Sequence, residues 1–122
     1  MNKEKSFAIH KNNGFVLNLP NGISISTIFG YGNYCENYNY EPKGYSRDDF
    51  SADNLMKQFE RIEKGSNDCE IMISCSDEKW LERINNKYGS GGNTVIGYLT
   101  MDKWYEILGK CWKWKNKKLT NK

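Results

Sequence analysis

At 122 residues the chain has room for one domain with one core, and it needs neither a disulfide framework nor a structural metal to fold. Apolar residues make up 38%, charged residues 27% and aromatics 14%, a balance that excludes a disordered chain, and no apolar run reaches transmembrane length. A net charge of +3 is too mild for a strong polyanion binder, so no stable nucleic-acid complex is expected.

Residues 1–13 are polar and read as a flexible N-terminus without a signal-peptide core. A short strand follows over 15–19, with Phe15, Leu17 and Leu19 on one face. Pro20-Asn21-Gly22 is a turn, because Asn-Gly tolerates positive φ and closes a hairpin. The return strand puts Ile23, Ile25, Thr27 and Phe29 on one face, the alternation of a sheet buried on one side.

That strand runs into Gly30-Tyr-Gly-Asn-Tyr-Cys-Glu-Asn37. Its glycines let a polar ligand approach the backbone, and its tyrosines offer flat apolar faces with hydroxyl tips. Gly-x-Gly after a strand also serves as an ordinary bulge or turn. A tyrosine-rich loop continues to about residue 45, long enough in so small a domain to suggest a functional role.

Residues 46–64 read as a helix inserted mid-chain, with Leu55, Phe59 and Ile62 facing the core and Lys57, Arg61 and Lys64 on a solvated face. Residues 69–75 form a strand whose parity buries Cys69 and Cys75 with Ile71 and Ile73. Residues 76–79 are read as a turn, 80–84 as an antiparallel partner strand and 85–92 as a glycine- and asparagine-rich loop. A last strand covers 93–100, with Gly97 marking a place where something packs close. The final helix starts at the N-cap Thr100 and lines up Trp104, Ile107, Leu108, Cys111 and Trp112 on one stripe. The expected fold is α+β: an antiparallel sheet of about five strands with a C-terminal helix packed on it, a single domain over 14–115, and a basic tail over 116–122.

The chain holds no recognisable catalytic set. His10 is its one histidine, and Asp48-Asp49 and Asp77-Glu78 are carboxylate neighbours in sequence only. Cys35 has no evident base, and there is no Walker loop, Gly-x-Ser-x-Gly or His-Glu-x-x-His. The four cysteines lack zinc spacing and read as buried thiols of a reducing cytosol. No enzyme activity, no cofactor and no metal are expected. The vocabulary is that of binding: Tyr31, Asn33 and Tyr34 for ring and backbone contacts, and Arg47, Arg61 and Arg83 for phosphates. For each arginine a surface ion pair is the commoner role.

The hairpin at Asn21-Gly22, the Gly30-x-Gly-Asn-Tyr-Cys element, the Asp68-Cys-Glu-Ile-Met-Ile strand with Trp80, and Val95-Ile-Gly-Tyr-Leu-Thr100 before the Trp104 helix resemble a set of small phage-encoded proteins. The similarity covers roughly residues 14–112, and Gly-Asn-Tyr-Cys is its most specific piece. Within that set the chain resembles the Thoeris anti-defence 1 type of sponge protein. The resemblance implies a homo-oligomer in the host bacterial cytoplasm that sequesters cyclic ADP-ribose isomers made by TIR enzymes, and in some members cyclic trinucleotides, without cleaving them. It carries over Asn93 and Lys110 as ligand contacts. Lys110 stands where an arginine is expected, and lysine lacks the planar fork needed to stack. The alternative is a phage inhibitor that binds a bacterial defence effector such as a CRISPR nuclease, with the exposed tyrosines and Trp112 and Trp114 as contact residues.

Overall fold

The computed structural model describes residues 5–10, 13–46, 48–89 and 94–115. In chain order these form β1 (Phe7–His10), β2 (Gly14–Asn18), β3 (Ser24–Ile28), α1 (Ala52–Glu63), β4 (Asp68–Ser74), α2 (Glu78–Tyr88), β5 (Val95–Thr100) and α3 (Met101–Lys113). The strands make one antiparallel sheet in the order β1-β2-β3-β4-β5, so the fold is α+β as the sequence leads one to expect.

The β2–β3 hairpin closes through Gly22, whose φ of 96° is a left-handed value that glycine adopts without a Cβ penalty. Leu17 pairs with Ile25, Ile25 with Ile73, and Thr27 with Ile71, so these side chains share one face of the sheet. Ile84 of α2 and Ile107 and Cys111 of α3 pack on that face with Ile23, Ile71 and Ile96. Each buried isoleucine contributes about 1.5–3 kcal/mol of apolar transfer. Trp104 meets Phe15 edge-on at 6.3 Å, and its Nε1 donates to Thr27 Oγ1 at 2.9 Å, which fixes α3 on the sheet. At the other end of α3, Asn21 Nδ2 donates to the carbonyls of Cys111 (2.8 Å) and Trp114 (2.9 Å), while its Oδ1 accepts from Ile23 N. The hairpin turn therefore caps the helix.

Four sequence expectations are corrected. Residues 7–10, read as part of a flexible N-terminus, form the edge strand β1, with Phe7 opposite Leu17. Its Phe7 and Ile9 stay exposed, so four residues gave no burial signal. Residues 80–84, read as a strand, lie in α2. Asp77 caps that helix by accepting from Trp80 N at 3.1 Å, and Trp80, Leu81, Ile84 and Tyr88 recur at helical spacing. The mid-chain helix starts at Ala52 rather than 46, with Ser51 as its N-cap. Buried Asn54 holds the preceding segment, donating to the carbonyls of Ser46 and Asp49 and accepting from Ser46 N.

The fourth correction concerns the orientation of α1. Its apolar residues Leu55, Met56 and Phe59 face solvent, and its polar side faces the body. There Arg61 lies between the rings of Tyr31 (3.8 Å) and Tyr45 (5.2 Å), Lys64 sits over Tyr40, and Glu60 accepts from the Tyr40 hydroxyl at 2.9 Å. The tyrosine loop supplies rings that satisfy cations, and so takes the inner side of the helix. On α3, Trp112 is likewise exposed although it falls on the expected stripe. The basic tail, residues 116–122, lies outside the described residues.

Candidate functional site

The site begins with an irregularity in β5. Cys69 pairs with Leu99 but Ile71 pairs with Ile96, so Gly97 and Tyr98 together oppose Glu70 in a β-bulge. Tyr98 has a φ of 51°, a left-handed conformation that costs a non-glycine residue on the order of 1–2 kcal/mol. Gly97 has no side chain for a reason: a Cβ there would stand 2.6 Å from Tyr34 Cβ. The close neighbour expected at Gly97 is thus the Gly30–Asn37 stretch itself.

That stretch is tied down along its length. Tyr98 N donates to Tyr34 O at 2.7 Å. Tyr34 N donates to Glu70 Oε1 at 2.8 Å and Glu36 N to Asp68 Oδ1 at 2.6 Å, so two carboxylates of β4 hold the loop backbone. Asn33 Oδ1 accepts from Gly30 N, and buried Asn37 donates to the carbonyls of Phe29, Lys64 and Gly65. Cys35 is buried, its thiol directed at Gly30 O.

The fixed backbone presents tyrosines outward. Tyr34 and Tyr38 stack with ring centroids 5.7 Å apart and planes within 2°, and Tyr98 stands 6.4 Å from Tyr34. The three rings are 50%, 39% and 58% exposed. Beside them opens a cleft of about 520 Å³ lined by Tyr34, Tyr88, Gly89, Thr94, Gly97 and Tyr98. Tyr34 of the Gly30–Asn37 stretch and Gly89 at the end of α2 therefore meet in one cleft, while residues 90–93 lie outside the described residues. A second hollow of about 480 Å³ shares Tyr88, Gly97 and Tyr98 and is lined by Lys87, Lys103 and Glu106.

The electrostatics of this second hollow are basic around one acid. The Glu106 carboxyl is held below its ordinary value by the Tyr88 hydroxyl first, and also by Lys103, Lys87 and Lys110. Lys103 Nζ lies 4.0 Å from Glu106 Oε2. The Tyr88 oxygen is shielded from solvent and faces the Glu106 carboxylate, with no partner in full hydrogen-bond geometry among the described residues. Burial pushes its phenol up to about 12, and the Glu106 carboxylate adds to that. Burial also raises the thiols, Cys69 to about 11 and Cys111 to about 12, which leaves them neutral and poorly nucleophilic at physiological pH. Among the described residues no three His, Cys, Asp or Glu side chains converge on a point that would hold a metal. No helix among them is long and apolar enough to cross a membrane.

Of the residues expected from sequence, Tyr34 lines the cleft and Asn33 shapes the loop beneath it. Tyr31 and Arg61 are brought together, but in the cation–ring contact with α1. Arg83 is exposed on α2, one turn before Lys87 and on the same side of that helix. Lys110 lies one turn past Glu106 on α3 and is half-buried. Arg47 and Asn93 lie outside the described residues. Sequence reasoning missed Tyr98, Lys87 and Lys103 as cleft residues. The signal for Tyr98 was present, since a glycine inside a strand marks a bulge. Lys87 had none, because α2 was read as a strand and loop, and Lys103 had none, because only the apolar stripe of α3 was read.

Comparison of the chain with protein-family models, with curated proteins and with solved structures finds no match.

Proposed function

We propose that the protein captures a small anionic nucleotide, of the cyclic ADP-ribose class, in the cleft beside Tyr34 and Tyr98, and holds it without cleaving it. The observation that carries this reading is the joint presence of three fixed, exposed tyrosine rings and the two lysines of the adjoining hollow. Rings stack on a base at about 1–3 kcal/mol each, and lysines meet a phosphate as point charges. The cleft volume falls within the roughly 300–1,000 Å³ of small-molecule sites. Sequestration requires no nucleophile, and the buried, neutral thiols are consistent with that. The setting this implies is a bacterial cytoplasm in which a TIR enzyme makes the signal.

The test is a thermal-shift and calorimetry panel of cyclic ADP-ribose isomers, cyclic dinucleotides and cyclic trinucleotides. A ligand at a hundred times its dissociation constant adds about 2.7 kcal/mol of stability. Heat release followed by mass spectrometry must then return the ligand intact. No shift with any member of the panel overturns the reading, and a cleaved product replaces it with an enzymatic one. Direct inhibition of a bacterial defence effector is a second reading, favoured by the exposed rings of Tyr34, Tyr38 and Tyr98. It predicts effector binding in the absence of any nucleotide.

A further inference from the structure

Among the described residues, two apolar surfaces have no partner. The first is the outward side of α1, where Leu55, Met56 and Phe59 are 46%, 68% and 57% exposed, with Phe50 beside the helix start at 86%. At 100° per residue Leu55, Met56 and Phe59 fall on one stripe, while Asn54 and Arg61 fall on the opposite side, against the body. The second is a trough of about 980 Å³ between α3 and the β1–β2 edge, walled by Phe7, Leu17, Trp104, Tyr105, Leu108 and Trp112. Monomeric proteins rarely leave contiguous apolar areas of this kind open.

We propose that these two surfaces are the halves of one interface, and that the α1 stripe of one copy seats in the α3–β1 trough of a second copy. Charge decides between this pairing and the two self-pairings. Exposed Asp53 flanks the α1 stripe along the edge next to Met56, where Glu60 is engaged by the Tyr40 hydroxyl, and exposed Asp48 and Asp49 precede the helix. Among the described residues, the charged side chains lining the trough are Lys110, Lys113 and the acid Glu106. Stripe against stripe would set the acidic edges on each other, and trough against trough would oppose the lysines. Stripe into trough brings opposite signs together, the arrangement that fixes register and disfavours the wrong pairing. Such a contact is head-to-tail. It closes into a ring or a reciprocal pair when the rotation permits, and otherwise propagates. An amphipathic helix lying in an apolar groove is a common recognition mode, and here one chain carries both parts. The proposal stands independently of the ligand reading.

The test uses the full chain and two complementary variants, Phe59→Asp to disable the stripe and Trp112→Asp to disable the trough. Both positions are exposed and outside the ligand cleft. Circular dichroism and melting curves check that each variant is folded. By sedimentation velocity at about 1–100 μM, a window that spans moderate to weak self-association, the unaltered chain is expected to be oligomeric and each variant monomeric. An equimolar mixture of the two variants is expected to form a 1:1 dimer, because the mixture contains one intact stripe and one intact trough. Asp53→Lys alone is expected to weaken self-association roughly five- to tenfold, and adding Lys113→Glu to recover most of that loss. A monomeric unaltered chain, a single variant that remains oligomeric, or a mixture that stays monomeric overturns the proposal.

Discussion

The backbone amide of Tyr98 donates to the carbonyl of Tyr34 at 2.7 Å, so the strained residue of β5 is the anchor of the tyrosine loop. Tyr98 therefore acts through both its backbone and its ring. Replacing it with glycine relieves the left-handed conformation but removes ring contact and adds chain entropy. Tyr98→Gly is expected to change stability by less than about 1 kcal/mol while weakening ligand binding at least about tenfold. Urea titration and calorimetry on the same sample separate the two effects.

Tyr34→Ala removes the central ring of the array, which stacks on Tyr38 and neighbours Tyr98. The expected loss of ligand affinity is roughly ten- to a hundredfold, measured by calorimetry with the ligand that the nucleotide panel identifies.

Gly97→Ala places a methyl group 2.6 Å from Tyr34 Cβ. The loop must move away from the bulge, at a cost of about 1–3 kcal/mol, and binding should fall with it. A substitution that lowers neither the denaturation midpoint nor the affinity contradicts this account of the bulge.

Asn21→Ala deletes the side chain that caps α3 from the hairpin turn. Two carbonyls and an amide lose their partner together, and the expected destabilisation is about 1–3 kcal/mol. Hydrogen exchange should report it as faster opening of the last turn of α3, with the tyrosine loop unaffected.

Alkali should unfold the protein through its buried thiols. Burial lifts Cys69 and Cys111 from the ordinary 9.0 to about 11 and about 12. An unfolded chain releases those protons from about pH 9, while the folded chain keeps them. Stability is thus whole below that pH and declines as pH rises towards 12. Urea midpoints across this range should fall, and Cys111→Val should flatten the fall.

Much of the fold was legible in the residues. Asn21-Gly22 between two alternating runs announced the hairpin, and the Trp104–Cys111 spacing announced α3. The sequence misled where its pattern admitted two periods: Trp80-Leu-Glu-Arg-Ile84 is short enough to pass for a strand, and the Asp77 cap settles it as a helix. It misled again at α1, where the 3.6-residue pattern identified the helix but not which side turns inward. Ring–cation contacts from a distant loop settled that, and no local pattern carries them. The candidate site was legible in part. Gly-x-Gly-Asn-Tyr-Cys pointed to the right loop, but the bulge that aims Tyr98 arises from pairing with β4.

The inverted helix α1 makes solubility and local order depend on the same solution conditions. Sulfate salts drive oily surfaces together. The same ions screen the pull of Arg61 and Lys64 on their tyrosines, the contacts that keep the helix against its own body. Precipitation by salt and loosening of this one segment should therefore set in together.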